Sequence, residues 1–161
     1  MRLLAASDRP ALQALFDSVS EEHLYTRFFT LGRGMVGRHL DHLFAGGPEM
    51  VTYVGAIQDR IVGVSDVEHL TATTAEVAFL VADDMHGRGV ATLLLERAAR
   101  DAHSAGIQWL TADVLARNHE MIEVFTDVGF AVELVSEGTD TTVRMSTAPT
   151  TASGAAERSR R

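Results

Sequence analysis

One stretch constrains the fold of this chain more than any other: Glu76-Val77-Ala78-Phe79-Leu80-Val81-Ala82-Asp83-Asp84-Met85-His86-Gly87-Arg88-Gly89-Val90-Ala91-Thr92. It opens as an apolar run with strand-like content and crosses a polar turn. It then reaches Gly87 and Gly89 and enters a long pattern with helical spacing. A strand that feeds a glycine turn and then a helix demands an α/β arrangement. It also makes a natural anion site, because glycine lets backbone N–H groups approach a phosphate and the first helical turn adds unpaired donors and the positive dipole end.

The elements on either side fit that requirement. Met1 to Leu4 reads as a short first strand. Ser7 or Asp8 is placed to cap a helix with Pro10 in its first turn and Leu12, Leu15, Phe16 and Val19 at helical spacing. Ser20-Glu21-Glu22 restarts a helix toward Leu24, Tyr25, Phe28 and Phe29, and Gly32-Arg33-Gly34 breaks it. Met35 to Phe44 reads as another helix, closed by Gly46-Gly47-Pro48. Met50–Ile57 and Ile61–Val67 around Gln58-Asp59-Arg60 give a hairpin signal, and a third strand runs from Thr74 to Val81. The helix after Gly89 carries Val90, Leu94, Ala98, Ala102 and Ala105 on one face and stops at Gly106. Leu93, Leu94 and Leu95 read as core. Gln108 to Val114 is a strand. Asn118 to Val128 is an amphipathic helix with Met121, Ile122, Phe125 and Val128 inward and Gly129 as its stop. Phe130–Val135 and Thr141–Met145 form a last hairpin, and its surface strands could pair between subunits. Hairpins and βα units mix, so the expected fold is α/β (α+β mixed): a twisted, mostly antiparallel mixed sheet of six to seven strands with helices on both faces. One domain over 1–146 and a disordered tail over 147–161 are expected.

Composition excludes several classes. Of 161 residues, 14 are Lys or Arg and 22 are Asp or Glu, a formal net charge of −8. That argues against sequence-independent nucleic-acid binding and means that an anionic ligand must be held by a local site. The absence of cysteine excludes disulfides, thiolate metal sites and a cysteine nucleophile. No apolar run reaches the roughly 18–20 residues of a membrane span, and Asp8, Arg9 and Pro10 end the first apolar stretch too soon for an export signal. A cytoplasmic location without membrane partners is the resulting expectation. A Walker loop is excluded because no Gly-Lys-Ser/Thr follows the glycines. A dinucleotide fold lacks its third glycine, although Asp113 sits at a plausible later strand end.

Two signatures carry a resemblance. His86-Gly87-Arg88-Gly89-Val90-Ala91 is similar to the pyrophosphate turn of the GNAT superfamily of acyl-CoA-dependent N-acetyltransferases, with His at a position where that family has Gln or Arg. Asn118 to Gly129-Phe130 resembles the family's second signature, an Asn opening a helix that ends in Gly-Phe. A narrower resemblance, to the catalytic domain of bacterial Pat-type protein lysine acetyltransferases, lies in Ser20 to Phe29 and in Ala75-Glu76-Val77-Ala78-Phe79.

The resemblance implies acetyl-CoA as cosubstrate, no metal, and an amine acceptor. The implied acceptor is a protein lysine, for instance on a protein such as acetyl-CoA synthetase; the alternative functions are a small-molecule amine N-acetyltransferase or a non-catalytic acyl-CoA sensor. Glu76 then becomes the general base, in a half-covered apolar setting that would raise its pKa, with Asp66 and Glu68 in reserve. Backbone N–H groups around Phe79, Leu80 and Val81 would polarise the thioester carbonyl. Gly87, Arg88, Gly89, Val90, Ala91 and Thr92 would cradle the pyrophosphate. His86 would touch phosphate or cap the loop, and Asn118 would touch the cofactor or cap its helix. Phe125, where many members carry a proton-donating Tyr, cannot donate and reads as core. Arg27, Phe28 and Phe29 read as packing on the acceptor side. His39 and His42, with Asp41 between them, read as a solvated helix face rather than a metal site.

Overall fold

The computed structural model describes residues 1–28 and 34–149. Phe29, the expected break at Gly32-Arg33 and the tail from residue 150 onward lie outside them. Among the described residues seven strands form one sheet in the order β1-β2-β3-β4-β5-β7-β6, and five α-helices accompany it. This is the mixed α/β, mostly antiparallel architecture expected. The chain divides into two compact units, Met1–Glu68 with Ala78–Leu94, and His69–Val77 with Leu95–Arg161.

The first unit begins with β1 (Arg2–Leu3), antiparallel to β2 (Met50–Ile57). Strand β2 pairs antiparallel with β3 (Arg60–His69), with an irregular register between Gly55 and Ala56. The turn between them places Gln58 at a φ of 53°. Helices α1 (Arg9–Ser18), α2 (Glu21–Phe28) and α3 (Gly34–Ala45) precede the hairpin. Leu12, Leu15, Phe16, Leu24, Leu40 and Leu43 are buried at helical spacing, and Val54, Val62 and Val64 come from the strands. Asp8 does not cap α1 with its side chain. Its carboxylate instead takes two hydrogen bonds from Arg2, at 2.6 and 2.8 Å, and one from the Ala5 N–H at 2.8 Å. The guanidinium holds the Asp8 carboxyl below the usual range against the opposing push of burial. Gly55 and Gly63 stand opposite each other across β2 and β3. A Cβ at Gly63 would lie 2.7 Å from Val90 Cγ1 and 3.1 Å from Leu94 Cδ1, so helix α4 (Val90–Ser104) starts directly over a bare strand.

Strand β4 (Thr74–Val81) matches the expected bounds, with Ala75, Val77, Phe79 and Val81 buried and Glu76 exposed. In the second unit its first residues pair parallel with β5 (Trp109–Leu115), from Thr74↔Trp109 to Glu76↔Thr111. Strand β5 pairs antiparallel with β7 (Asp140–Ser146) along its whole length, and β7 pairs with β6 (Val132–Glu137). Thr141, Val143 and Met145 alternate inward. Edge strand β6 leaves Leu134 and Val135 about half exposed. Helix α5 (His119–Asp127) buries Phe125 completely. Of the leucine triplet in α4, Leu94 and Leu95 are buried but Leu93 is exposed, because three consecutive residues cannot share one helical face. Thr147 is buried, with its N–H on the Gln108 carbonyl and its hydroxyl on the Ile107 carbonyl. No helix among the described residues is long and apolar enough to cross a membrane.

Candidate functional site

The glycine turn has the geometry an anion needs. Gly87 and Gly89 hold φ at +70° and +77°, a region that favours glycine, and nothing lies within 4 Å of where either Cβ would stand. The first intrahelical bond of α4 runs from the Leu93 N–H to the Gly89 carbonyl. The N–H groups of Val90, Ala91 and Thr92 therefore precede the helical ladder and face its N-terminal end. Arg88 is exposed there, while His86, Ala91 and Thr92 are half-buried and Val90 is buried. Phe79, Leu80 and Val81 are buried in the strand that feeds the turn.

Just before the turn, a short 3₁₀ segment (Asp83–Met85) is tied to α2. Asp83 Oδ1 lies 2.8 Å from His23 Nδ1, and its Oδ2 accepts from the Ser20 N–H at 3.2 Å. Burial pushes the Asp83 carboxyl up, but the hydrogen bonds from His23 and the Ser20 N–H, with nearby imidazole charge, bring it below its ordinary value. The His23 and His86 rings stand 4.6 Å apart. Asp84 takes both ends of the Arg60 guanidinium at 2.7 Å. His23 and Asp83 are 60 positions apart, and no local signal in the sequence links them.

Glu76 lies in the second unit at the last pair of the parallel β4–β5 ladder. Its side chain is exposed, so the burial on which a raised pKa was expected is not provided by the protein alone. Among the reserve carboxylates, Glu68 is exposed. Asp66 is already engaged: Arg27 donates to it at 2.6 Å, with both side chains less than a fifth exposed. His39 stands beside that pair, 3.4 Å from the Arg27 nitrogen and 3.9 Å from the Asp66 oxygen. Burial, and then the Arg27 charge, push its imidazole down to about 4 against the pull of Asp66. His39, Asp41 and His42 do not form one site: Asp41 pairs with Arg9, and His42 is exposed. Asn118 caps α5, its side-chain oxygen accepting from the Met121 N–H at 3.3 Å.

Residues 13–130 match the acetyltransferase (GNAT) family, and the chain belongs to that family, whose members are acyl-CoA-dependent N-acetyltransferases. Over 115 residues it is 35% identical to Acetyltransferase Pat of Mycolicibacterium smegmatis, a match that covers 68% of this chain and 34% of that protein. The chain thus spans about a third of that curated relative's length. Among solved structures it resembles the GNAT domain of Pat from S. lividans, with a TM-score of 0.75, 31% identity, and 90% of this chain and 88% of that one covered. The fold also matches yncA of Salmonella typhimurium, solved with its cofactor acetyl-CoA, at a TM-score of 0.71 and 17% identity over 90% of each chain.

Proposed function

We propose that this chain transfers the acetyl group of acetyl-CoA to a primary amine, most specifically a lysine side chain of a protein, by direct attack within a ternary complex. The amine nitrogen bonds to the thioester carbonyl carbon, the C–S bond breaks, and the products are an acetamide and CoA. The observation that carries the reading is the sequence kinship with two Pat proteins, together with a glycine turn whose two left-handed residues leave room for a pyrophosphate. In this reading residues 87–92 hold the pyrophosphate through backbone N–H groups, with Arg88 adding a charge-assisted contact. Backbone N–H groups of Phe79 to Val81 stabilise the oxyanion. Glu76 takes the ammonium proton directly or through water. Substrate must supply the desolvation that the exposed carboxylate lacks, which makes Glu76 a better base in the ternary complex than in the free protein. Phe125 is fully buried and has no proton to give, so the thiolate leaves unassisted or takes its proton from water or another residue. Asn118 is assigned to capping first and cofactor contact second.

The test is thiol release from acetyl-CoA, read with a chromogenic thiol reagent; a chain without cysteine is silent to it. One arm offers a lysine-bearing protein such as acetyl-CoA synthetase, the other a panel of small amines. Turnover with the protein and acetyl on a lysine supports the reading, and turnover with small amines alone replaces it with the small-amine alternative. Glu76→Gln should lower turnover by about 10²–10⁴-fold while acetyl-CoA still binds. Unchanged function in that variant would favour an acyl-CoA sensor.

A further inference from the structure

Acetyl transfer does not call for the grouping of His23, Asp83 and His86. One donor atom from each of the three lies within 4.8 Å of the other two. An ion pair accounts for His23 against Asp83, yet a second imidazole is brought against them with its ring 4.6 Å from the first. Two outer contacts orient the set. The Ser20 N–H holds the second carboxylate oxygen of Asp83 at 3.2 Å. His86 Nε2 lies 3.2 Å from the Val81 carbonyl, a contact that needs the proton on Nε2 and so leaves the lone pair on Nδ1. Both are the kind of outer-shell hydrogen bond that fixes metal-binding side chains in other proteins.

We propose that His23, Asp83 and His86 form a binding site for a divalent transition-metal ion of the zinc class, with water completing its coordination. Two imidazoles and one carboxylate suit zinc and its first-row neighbours, whereas Mg²⁺ and Ca²⁺ select oxygen-only shells. Zinc bonds of about 2.0–2.1 Å put the donors of a tetrahedral site about 3.3 Å apart. Separations between 2.8 and 4.8 Å bracket that value, and side-chain rotation closes the difference. His23 and Asp83 are 37% and 40% exposed, enough to give an ion a path in. The backbone brings the three together from two segments: one ligand comes from α2, and two lie three residues apart around a 3₁₀ turn. This inference does not depend on the acceptor or on acetyl transfer.

The test is titration of the whole chain, without a histidine tag, with Zn²⁺ by calorimetry and with Co²⁺ by visible absorption. One Zn²⁺ per chain is expected, with Co²⁺ giving the intense bands of low-coordinate geometry. His23→Gln and His86→Gln should each weaken binding by about tenfold or more. Asp83→Asn should do the same while keeping the side chain's shape. His42→Gln and His119→Gln, at exposed histidines elsewhere, should change nothing. Circular dichroism checks that each variant is folded. Failure of the unmodified chain to bind at millimolar Zn²⁺ overturns the proposal. So does one-to-one binding that survives both His23→Gln and His86→Gln.

Discussion

Both units have ladders and a hydrocarbon core, but their polar side chains reach differently across the chain. The first adds ion pairs between separate elements: Arg2 with Asp8, Arg27 with Asp66, His23 with Asp83 and Arg60 with Asp84. The second relies on backbone ladders and hydrocarbon. Its β5–β7 and β6–β7 pairings run the length of the strands, and ion pairs such as Arg97–Asp101 within one helical turn and Arg144–Glu133 across a ladder are at least a third exposed. Exposed pairs of that kind contribute about 0–1 kcal/mol. Arg27–Asp66 is another matter, because removing one partner of a nearly buried pair leaves the other charge uncompensated, a loss of about 3–5 kcal/mol. Apolar contact says only that a helix and a strand lie together, whereas directional contacts fix which residue meets which. The unit that contains the glycine turn adds directional contacts between side chains to its ladders and apolar core.

Three measurements bear on this contrast. The largest effect belongs to the second unit: Phe125→Ala removes a fully buried ring and should lower unfolding free energy by about 3–5 kcal/mol, measured from denaturant midpoints. A loss below about 1 kcal/mol would mean that packing is not what holds this unit. Next is the pH response of the first unit. His39 is driven from 6.5 to about 4 on folding, so between those values the unfolded chain binds more protons than the folded one. The stability tied to neutral His39 is complete above about pH 6.5 and shrinks as pH falls toward 4, below which it changes no further. The loss approaches about 3 kcal/mol. Denaturant curves at pH 7 and pH 4.5 should show it, and His39→Gln should flatten that difference; an unchanged slope in the variant would move the effect elsewhere. The smallest effect is at the cap of α5, where Asn118→Ala should cost about 1 kcal/mol of thermal or denaturant stability. If acetyl-CoA affinity fell in that variant while stability held, Asn118 would be a ligand contact rather than a cap.

The sequence showed best where the signal is local. Strand β4, the turn at Gly87–Gly89 and the stop of α4 at Gly106, with φ of +89°, follow from composition and glycine placement within a few residues. It showed least where a polar side chain chooses a distant partner. Asp8 looks like a helix cap, but the Arg2 guanidinium offers two donors and binds it first. His39 and His42 look like a pair, yet one points to Asp66 and the other to water. Nothing near His23 announces Asp83, because partner choice across 60 positions is decided by the fold of α2 and β4. Alternation puts Glu76 on one face with Ala78 and Leu80, yet that face is buried at Leu80, half-buried at Ala78 and exposed at Glu76, so burial along it is set by what the rest of the chain covers and not by the strand pattern.

The facing glycines of β2 and β3 carry a consequence for how this chain can change over time. Val90, the first residue of α4, rests where a side chain at position 63 would have to be, while at position 55 the near atom is Met1 Sδ, 2.9 Å from where a Cβ would stand, and Val90 is in ordinary contact at 3.7 Å. A methyl group at Gly63 would press on Val90 and Leu94 and so on the start of the helix whose first N–H groups belong to Val90, Ala91 and Thr92, whereas one at Gly55 would displace only the exposed end of Met1. Gly63, which offers no chemistry of its own, thus sets the standoff of the anion-facing end of the helix, and drift at it is coupled to a site it never touches.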